Sequence, residues 1–322
     1  MKKDTILVIG ACGQIGAELT TALRHAHGDF HVIAADLTDD KKATGPYEQL
    51  DVLDKDALGT IIDRYDITQV YLLAAMLSAT GERHPQTAWH LNMQGLLNTL
   101  DLAREKKLAK VFWPSSIAVF GPGAPRRQCP QKAILEPSTV YGISKAAGEN
   151  WCNYYWKKYG VDVRSLRYPG LISHQAQPGG GTTDYAVDIF HEALAKQAYT
   201  CFLEANTHLP MMYMPDALRA TLELMEAPAN QLSVRTSYNV SAMTFSPAQL
   251  ATAIHQHIPD FTIDYKPDYR QAIADGWPES IDDSVARNDW QWEYEYGLSA
   301  TTRDMLNHLA KKLQTPSALQ LQ

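Results

Sequence analysis

The chain has 322 residues, 45% hydrophobic and 20% charged, a balance that excludes a disordered or collagen-like polypeptide. At roughly 100–200 residues per domain, this length implies two domains or one elaborated domain. The net charge of −7 argues against a nucleic-acid partner, which calls for a basic face. Cys12, Cys129, Cys152 and Cys201 lie far apart with no C-x-x-C pair. That spacing favours neither a disulfide framework nor a zinc ribbon, and it suits a reducing cytoplasm. No apolar run approaches the ~18–20 residues of a membrane span, so no membrane partner is expected.

The start, M-K-K-D-T-I-L-V-I-G-A-C, imitates a lipoprotein signal, but Asp4 interrupts the positive region and the apolar run is about half the required length. Residues 6–9 therefore read as a buried strand. Glycines follow, then Ile15, Leu19 and Leu23 at helical spacing, giving strand, turn and helix. Residues 30–35 predict a second strand ending at Asp36, 52–65 a helix, 69–75 an apolar strand buried on both faces, 86–107 a long helix and 110–115 another strand. A helix over Val140–Tyr159 and a strand over 161–168 follow. This alternation predicts an α/β fold with a doubly wound parallel sheet covered on both sides.

After Pro169 the alternation lapses into glycine-rich and proline-rich loops. Helices are expected over 216–226, from Ser246-Pro247, and in the last 20 or so residues; a strand is expected over 261–266. The organisation read from this is a nucleotide-binding domain over 1–170 and a smaller, mainly substrate-binding α/β lobe over 171–322, with some segments of the lobe free to return to the first domain.

Gly10, Gly13 and Gly16 form G-A-C-G-Q-I-G where the first strand meets the first helix. Glycines there let the backbone approach a pyrophosphate seated on the helix N-terminus. Asp36, 20 residues after Gly16 at the end of the second strand, is placed to accept from a ribose 2′-hydroxyl and to repel a 2′-phosphate, which predicts NAD over NADP. Asp51-Val52, after a presumed third strand, is a candidate adenine contact or a plain loop.

Tyr141 and Lys145 stand four apart in a predicted helix, about 25 residues after Ser115-Ser116. Residues i and i+4 share a helix face. A phenol titrates near 10, and an adjacent ammonium or a nicotinamide cation would lower it toward a useful base. A hydroxyl at the preceding strand end points into the crevice where ligands bind in such sheets.

These features resemble the extended short-chain dehydrogenase/reductase family. The carrying pieces are G-A-C-G-Q-I-G, Asp36, L-L-A-A at 72–75, Asn92, P-S-S-I-A-V-F-G at 114–121, Y-G-I-S-K at 141–145 and R-Y-P-G at 167–170. The resemblance covers essentially the whole chain and implies a Rossmann-type domain, NAD, and catalysis by Ser116, Tyr141 and Lys145, with Ser115 the alternative if the register slips by one. It implies cofactor contacts from Gly10, Gly13, Gln14, Ile15, Gly16, Asp36, Leu37, Asp51, Val52, Leu73, Ala74, Ala75, Asn92, Tyr141, Lys145, Tyr168 and Leu171. Family members commonly pair through the two long helices, here 86–107 and Val140–Tyr159. The second carries Trp151, Tyr154, Tyr155 and Trp156, so a homodimer is expected.

Longer stretches, at 74–82, 167–173, 178–190, 209–220 and 277–290, are similar to the members of that family that oxidise L-threonine at C3. The resemblance makes L-threonine the expected small-molecule substrate, with contacts from Ser78, Ser116, Tyr141, Gly180, Thr182, Thr183 and Asp184. Thr183 or Asp184 can alternatively serve only to cap a helix. Met211, Met212 and Met214 read as core, and 277–290 as mostly packing. His25/His27 and His255/His257 are spaced i, i+2 and there is no H-E-x-x-H, so no metal is expected. A nucleotide-sugar epimerase or dehydratase is a rival reading, but 168–190 contains no lysine or arginine and Ser116 is followed by Ile117 rather than an acid. A non-catalytic NAD sensor would typically have lost the tyrosine or the lysine.

Overall fold

The computed structural model describes residues 4–40, 44–175 and 181–314. Strand β1 (Ile6–Ile9) is wholly buried. It is followed by α1 (Gln14–His27), β2 (Val32–Asp36), β3 (Tyr47–Gln49), α2 (Lys55–Arg64), β4 (Gln69–Leu72), α3 (Ser78–Arg83), α4 (Pro85–Lys106), β5 (Lys110–Phe112), β6 (Ser115–Ser116), α5 (Val140–Tyr159), β7 (Val163–Arg164) and β8 (Leu166–Tyr168). Six strands form a parallel sheet in the order β3-β2-β1-β4-β5-β7. The order reverses beside β1, and ligands of such sheets bind at that switch point, beyond the strand C-termini.

Where the sequence reading and the structure differ, local chemistry gives the reason. The second strand starts at Val32 because residues 29–31 form a 3-10 turn that leaves Phe30 85% exposed. Helix α2 starts at Lys55 because the Asp54 carboxylate accepts from the Ala57 N–H and caps it. The strand predicted over 69–75 ends at Leu72; the N–H groups of Leu73 and Ala74 both turn to the Ile9 carbonyl, and the chain enters the crevice. Pro114 cannot donate to a ladder, so the 110–115 strand divides into β5 and β6. The 161–168 strand divides at Ser165, whose hydroxyl meets that of Ser237. The short helix α3 had no periodic signal to announce it.

The second half contributes β9 (Gly170–Ile172), α6 (Tyr185–Lys196), β10 (Ala198–Cys201), β11 (Leu209–Tyr213), α7 (Met214–Glu226), β12 (Tyr238–Asn239), β13 (Met243–Phe245), α8 (Pro247–His255), β14 (Thr262–Tyr265), α9 (Tyr269–Asp275), α10 (Ser284–Trp290) and α11 (Leu298–Gln314). Strand β8 lies between β6 and β12, all parallel. Three cores hold the fold. One joins β1, β2 and β4 to α2, α4 and α5 through Leu7, Ile33, Leu58, Leu96 and Leu100. A second, on the other face, packs α1, α7, β12, Trp290 and Trp292 against the sheet and takes in Met212 and Met214. The third joins α6, α8 and α11 to β11, with Met211, and to Phe120.

Candidate active site

The glycine turn is built from steric necessity. Gly10 has φ +85°, and a Cβ there would lie 2.6 Å from the Ala74 nitrogen. A Cβ on Gly16 would come within 2.0 Å of the Gly10 oxygen, so only glycine lets the first turn of α1 sit on the loop. Gly13 is the helix N-cap and offers no side-chain cap; no acid stands in the first turn. The exposed N–H groups of that end suit an anion. Asp36 reaches the same loop: its carboxylate accepts from the Cys12 N–H at 2.9 Å and the Thr38 N–H at 3.2 Å. Leu37 beside it is exposed. Asp51 accepts from the Leu53 N–H and Val52 is buried in the core, so the pair closes the loop after β3, next to the β2 terminus.

One cleft opens from this turn. Gln14, Ile15, Leu73, Ala75, Leu77 and Ser78 line it on one side, residues 114–117 with Tyr141 and Lys145 form its floor, and residues 168–171, 181–184 and Trp277 close it. Helix α5 delivers Tyr141 and Lys145 from one stripe. The N-cap Thr139 accepts from the Gly142 N–H, and Glu82 of α3 accepts from the Val140 N–H, which fixes the start of the helix. Lys145 is 2% exposed and donates to the Pro114 carbonyl at 2.6 Å. Its ammonium lies 4.4 Å from the Trp113 ring centre and 5.5 Å from that of Tyr141. Burial lowers its pKa to about 7, against the raising influence of Cys152 and Glu149.

Burial pushes the Tyr141 phenol up to about 12, and a hydrogen bond with Ser116 works against that rise. The direction is opposite to the one expected from the Tyr–Lys spacing. The reason is burial, which disfavours the charged phenolate in the ligand-free cleft, while the Lys145 ammonium donates to Pro114. Both serines line the cleft, but their hydroxyls take different partners, because neighbouring residues of a strand face opposite ways. Ser116 lines the cleft with Tyr141 and accepts from the Ala118 N–H. Ser115 donates to Glu149 at 2.7 Å in the interior.

Asn92 is not among the cleft-lining residues. Its side chain bonds both backbone groups of Met76 and donates to Ser144 Oγ, so it shapes the loop after β4 and ties it to α5. Ala74 bonds Ile9 through its backbone. Tyr168 lines the cleft with its ring while its hydroxyl pairs with Thr221; Leu171 lines it too. Ser78 is buried at the first position of α3. Thr182 is 1% exposed, and its hydroxyl has no hydrogen-bond partner among the described residues. A buried orphan hydroxyl carries a desolvation cost that a ligand group can relieve. Asp184 accepts from the Gly181 N–H at 2.6 Å and makes no cap bond to α6, and Thr183 lies beside it. Gly180 falls outside the described residues.

Sequence reasoning did not assign several cleft residues to the site, among them Leu77, Pro114 and Ile117, and two omissions bear on the chemistry. Trp277, read as packing, lines the cleft. Glu149 stands one helical turn beyond Lys145, a spacing that was legible but unused. Among the described residues, no group of three or more His, Cys, Asp or Glu is placed to hold a metal ion, and no helix is long and apolar enough to cross a membrane.

The parallel sheet, the glycine turn at its switch point and the Ser–Tyr–Lys cluster define a dinucleotide-binding α/β protein. The model of the NAD dependent epimerase/dehydratase family matches residues 6–241, and the chain belongs to that family. An uncharacterized epimerase/dehydratase of Staphylococcus haemolyticus is 45% identical over 316 residues, 97% of this chain and 99% of that protein. The holo form of an L-threonine dehydrogenase from Cupriavidus necator superposes with a TM-score of 0.94 at 60% identity, covering 95% of this chain and 99% of that one. A monomeric L-threonine 3-dehydrogenase from a metagenome, in its apo form, superposes at 0.93 with 47% identity, covering 96% and 99%.

Proposed function

We propose that the protein is an NAD-dependent dehydrogenase that oxidises L-threonine at C3 to 2-amino-3-oxobutyrate, in cytoplasmic threonine breakdown. The carrying observation is the convergence of Ser116, Tyr141 and Lys145 on one cleft that also holds the Thr182 hydroxyl, which has no partner among the described residues. The similarity to two L-threonine dehydrogenases supports it. Among the described residues, the cleft is lined by no arginine and by one lysine, Lys145, which suits a small amino acid better than a nucleotide diphosphate sugar. Cys12 is exposed, the other three cysteines are buried and none is paired, as a reducing compartment allows.

The residues fit NAD. Gly10, Gly13 and Gly16 leave the α1 N-terminus open to a pyrophosphate, and Asp36 stands beside the turn to take a ribose. When bound, NAD supplies the acceptor for the C3 hydrogen and its electron pair. Tyr141 takes the proton of the substrate hydroxyl, Ser116 orients that hydroxyl, and Lys145 supplies positive charge behind both. Thr182, Thr183 and Ser78 offer neutral donors to the carboxylate, and Asp184 faces the ammonium. Residues 1–170 hold the cofactor and 171–322 mainly the substrate, with α7, β12 and residues 290–292 packed on the first domain.

The direct test is absorbance at 340 nm with NAD and L-threonine. L-serine, which lacks the methyl, should be slower yet detectable, since that contact is worth roughly 1 kcal/mol or somewhat more. Absence of NADH formation with L-threonine, together with conversion of a nucleotide sugar, would replace this reading by the epimerase one.

Cofactor choice follows from Asp36. NAD should exceed NADP in kcat/KM, and Asp36→Ala should narrow the ratio at least tenfold, since a carboxylate beside a 2′-phosphate is repulsive. Equal efficiency of the unmodified enzyme with both cofactors would refute that role.

The reading includes a homodimer through α4 and α5. Trp89, Ile143, Trp151, Tyr154 and Tyr159 on these helices are 37–46% exposed, whereas Tyr155 is buried against Asp101 and Trp156 packs under Arg235. Light scattering at micromolar concentration should give twice the chain mass; a monomer mass, as for the metagenomic relative, would dispose of it.

A further inference from the structure

We propose that Glu149 is a positioning residue for the reaction: clamped by Arg167, it holds Ser115 and thereby sets Ser116 against Tyr141. The inference rests on the dehydrogenase reading above and goes beyond it, since Glu149 does not line the cleft.

The geometry is closed on every side. Glu149 Oε1 accepts from Ser115 Oγ at 2.7 Å and from Arg167 Nε at 2.8 Å, and Oε2 accepts from Arg167 Nη2 at 2.7 Å. The remaining Arg167 nitrogen, Nη1, donates to the Gln131 carbonyl and to Asn239 Oδ1. Glu149 is 1% exposed and Arg167 4%. A bidentate guanidinium fixes a carboxylate in both position and plane.

This clamp acts where the backbone has little hold of its own. Strand β6 is two residues long, between Pro114 and a 3-10 turn over 117–119. Among the described residues it pairs only with β8, Ser115 opposite Arg167 and Ser116 opposite Tyr168. Side chains from one stripe of α5 supply the rest. Lys145 holds the Pro114 carbonyl and Glu149, one turn further along the helix, holds Ser115, while Tyr141, one turn earlier, lines the cleft with Ser116. Two consecutive residues, Pro114 and Ser115, are thus pinned to two consecutive turns of α5, next to the turn that carries Tyr141. Releasing Ser115 frees the strand to rotate or slide, and Ser116 moves with it. A displacement on the order of 1 Å at a reacting group can cost about 10²-fold in rate.

A buried ion pair also stabilises or specifies a fold, so the test must read more than loss of protein. The variants are Ser115→Ala, Glu149→Asp, which keeps the charge facing Arg167 but withdraws the carboxylate, and the two combined. Each single variant should lower kcat for L-threonine by about 10- to 100-fold, the range set by losing a hydrogen bond to a charged group and the alignment it fixes. KM for NAD should stay within about threefold. The double variant should be little worse than the poorer single one, because groups acting through one bond are not additive. Ser115→Thr, which keeps the hydroxyl, should recover most of the rate. A crystal structure of ligand-free Ser115→Ala should show the Ser116 hydroxyl displaced relative to Tyr141 by about 1 Å or more from its place in the unmodified protein. Additive losses, unchanged kcat in folded Ser115→Ala, or an undisplaced Ser116 hydroxyl would each overturn the proposal. If Glu149→Asp does not fold, the Ser115 pair and the crystal structure carry the test. Should the unmodified protein leave L-threonine unoxidised, the functional reading fails, and the crystal structure still decides the positioning role.

Discussion

Tyr141→Phe is expected to lower kcat for L-threonine by about two to four orders of magnitude, the range for loss of a general base, with NAD affinity nearly unchanged. The substitution removes one oxygen from a ring that keeps its packing. Tyr141 is partly buried against the third core and phenylalanine keeps that ring packing, so the fold should survive. The pH dependence carries a definite sign. Burial places the phenol at about 12, so at neutral pH nearly all of it is protonated, and the rate of the unmodified enzyme should climb with pH as the phenolate fraction grows. Ser116→Ala removes the one interaction that lowers this pKa and should move the rising limb to higher pH as well as reduce kcat. The measurement is a steady-state pH series with NAD binding followed separately by protein fluorescence. More than a tenth of the activity remaining in Tyr141→Phe would show that another group takes the proton.

The parts of the molecule legible in the sequence are those whose signal is local. Strand β1 and helix α5 fall within the residues expected for them from the sequence. The glycine turn is legible because three constraints coincide within seven residues, and the structure shows that two of its glycines answer to backbone contacts under 3 Å. The order Ser116, Tyr141, Lys145 is legible because strand end and helix start follow one another in the chain. Long-range chemistry was not. Trp277 reaches the cleft from more than 100 residues beyond Tyr141, through a loop with no periodic pattern. The direction of the Tyr141 shift depends on burial, which is not written in the spacing of a tyrosine and a lysine. Asp184 shows the same limit: the residues around it announce a helix start, but its carboxylate turns back to Gly181 instead of capping α6.

Lys145→Met should abolish useful activity and at the same time stabilise the protein at neutral pH. Lys145 is enclosed, 2% exposed, and its folded pKa is about 7 against an ordinary 10.5. The sign follows from proton linkage. Between about 7 and 10.5 the unfolded chain binds the proton more tightly than the folded one, so unfolding takes up protons and this group lets stability rise with pH across that window. Below about pH 7 both states carry the charge and the whole penalty applies. A shift of this size corresponds to something on the order of 5 kcal/mol, reduced by the bond to Pro114 and the Trp113 face. Methionine fills a similar volume without charge but leaves the Pro114 carbonyl unpaired, which returns about 1–3 kcal/mol. The net expectation is a higher melting temperature for the variant at pH 6–7, with the gap narrowing toward pH 10. The rate should fall at least 10²-fold and NAD should bind more weakly, because the charge behind Tyr141 and Ser116 is gone. Such a residue keeps a site charged at the expense of the fold, a pattern expected of catalytic groups. Thermal melts of both proteins at pH 6.5 and 9.5 decide it. A variant less stable than the parent at pH 6.5, or a gap that does not change with pH, would mean that Lys145 is held there by interactions stronger than its desolvation.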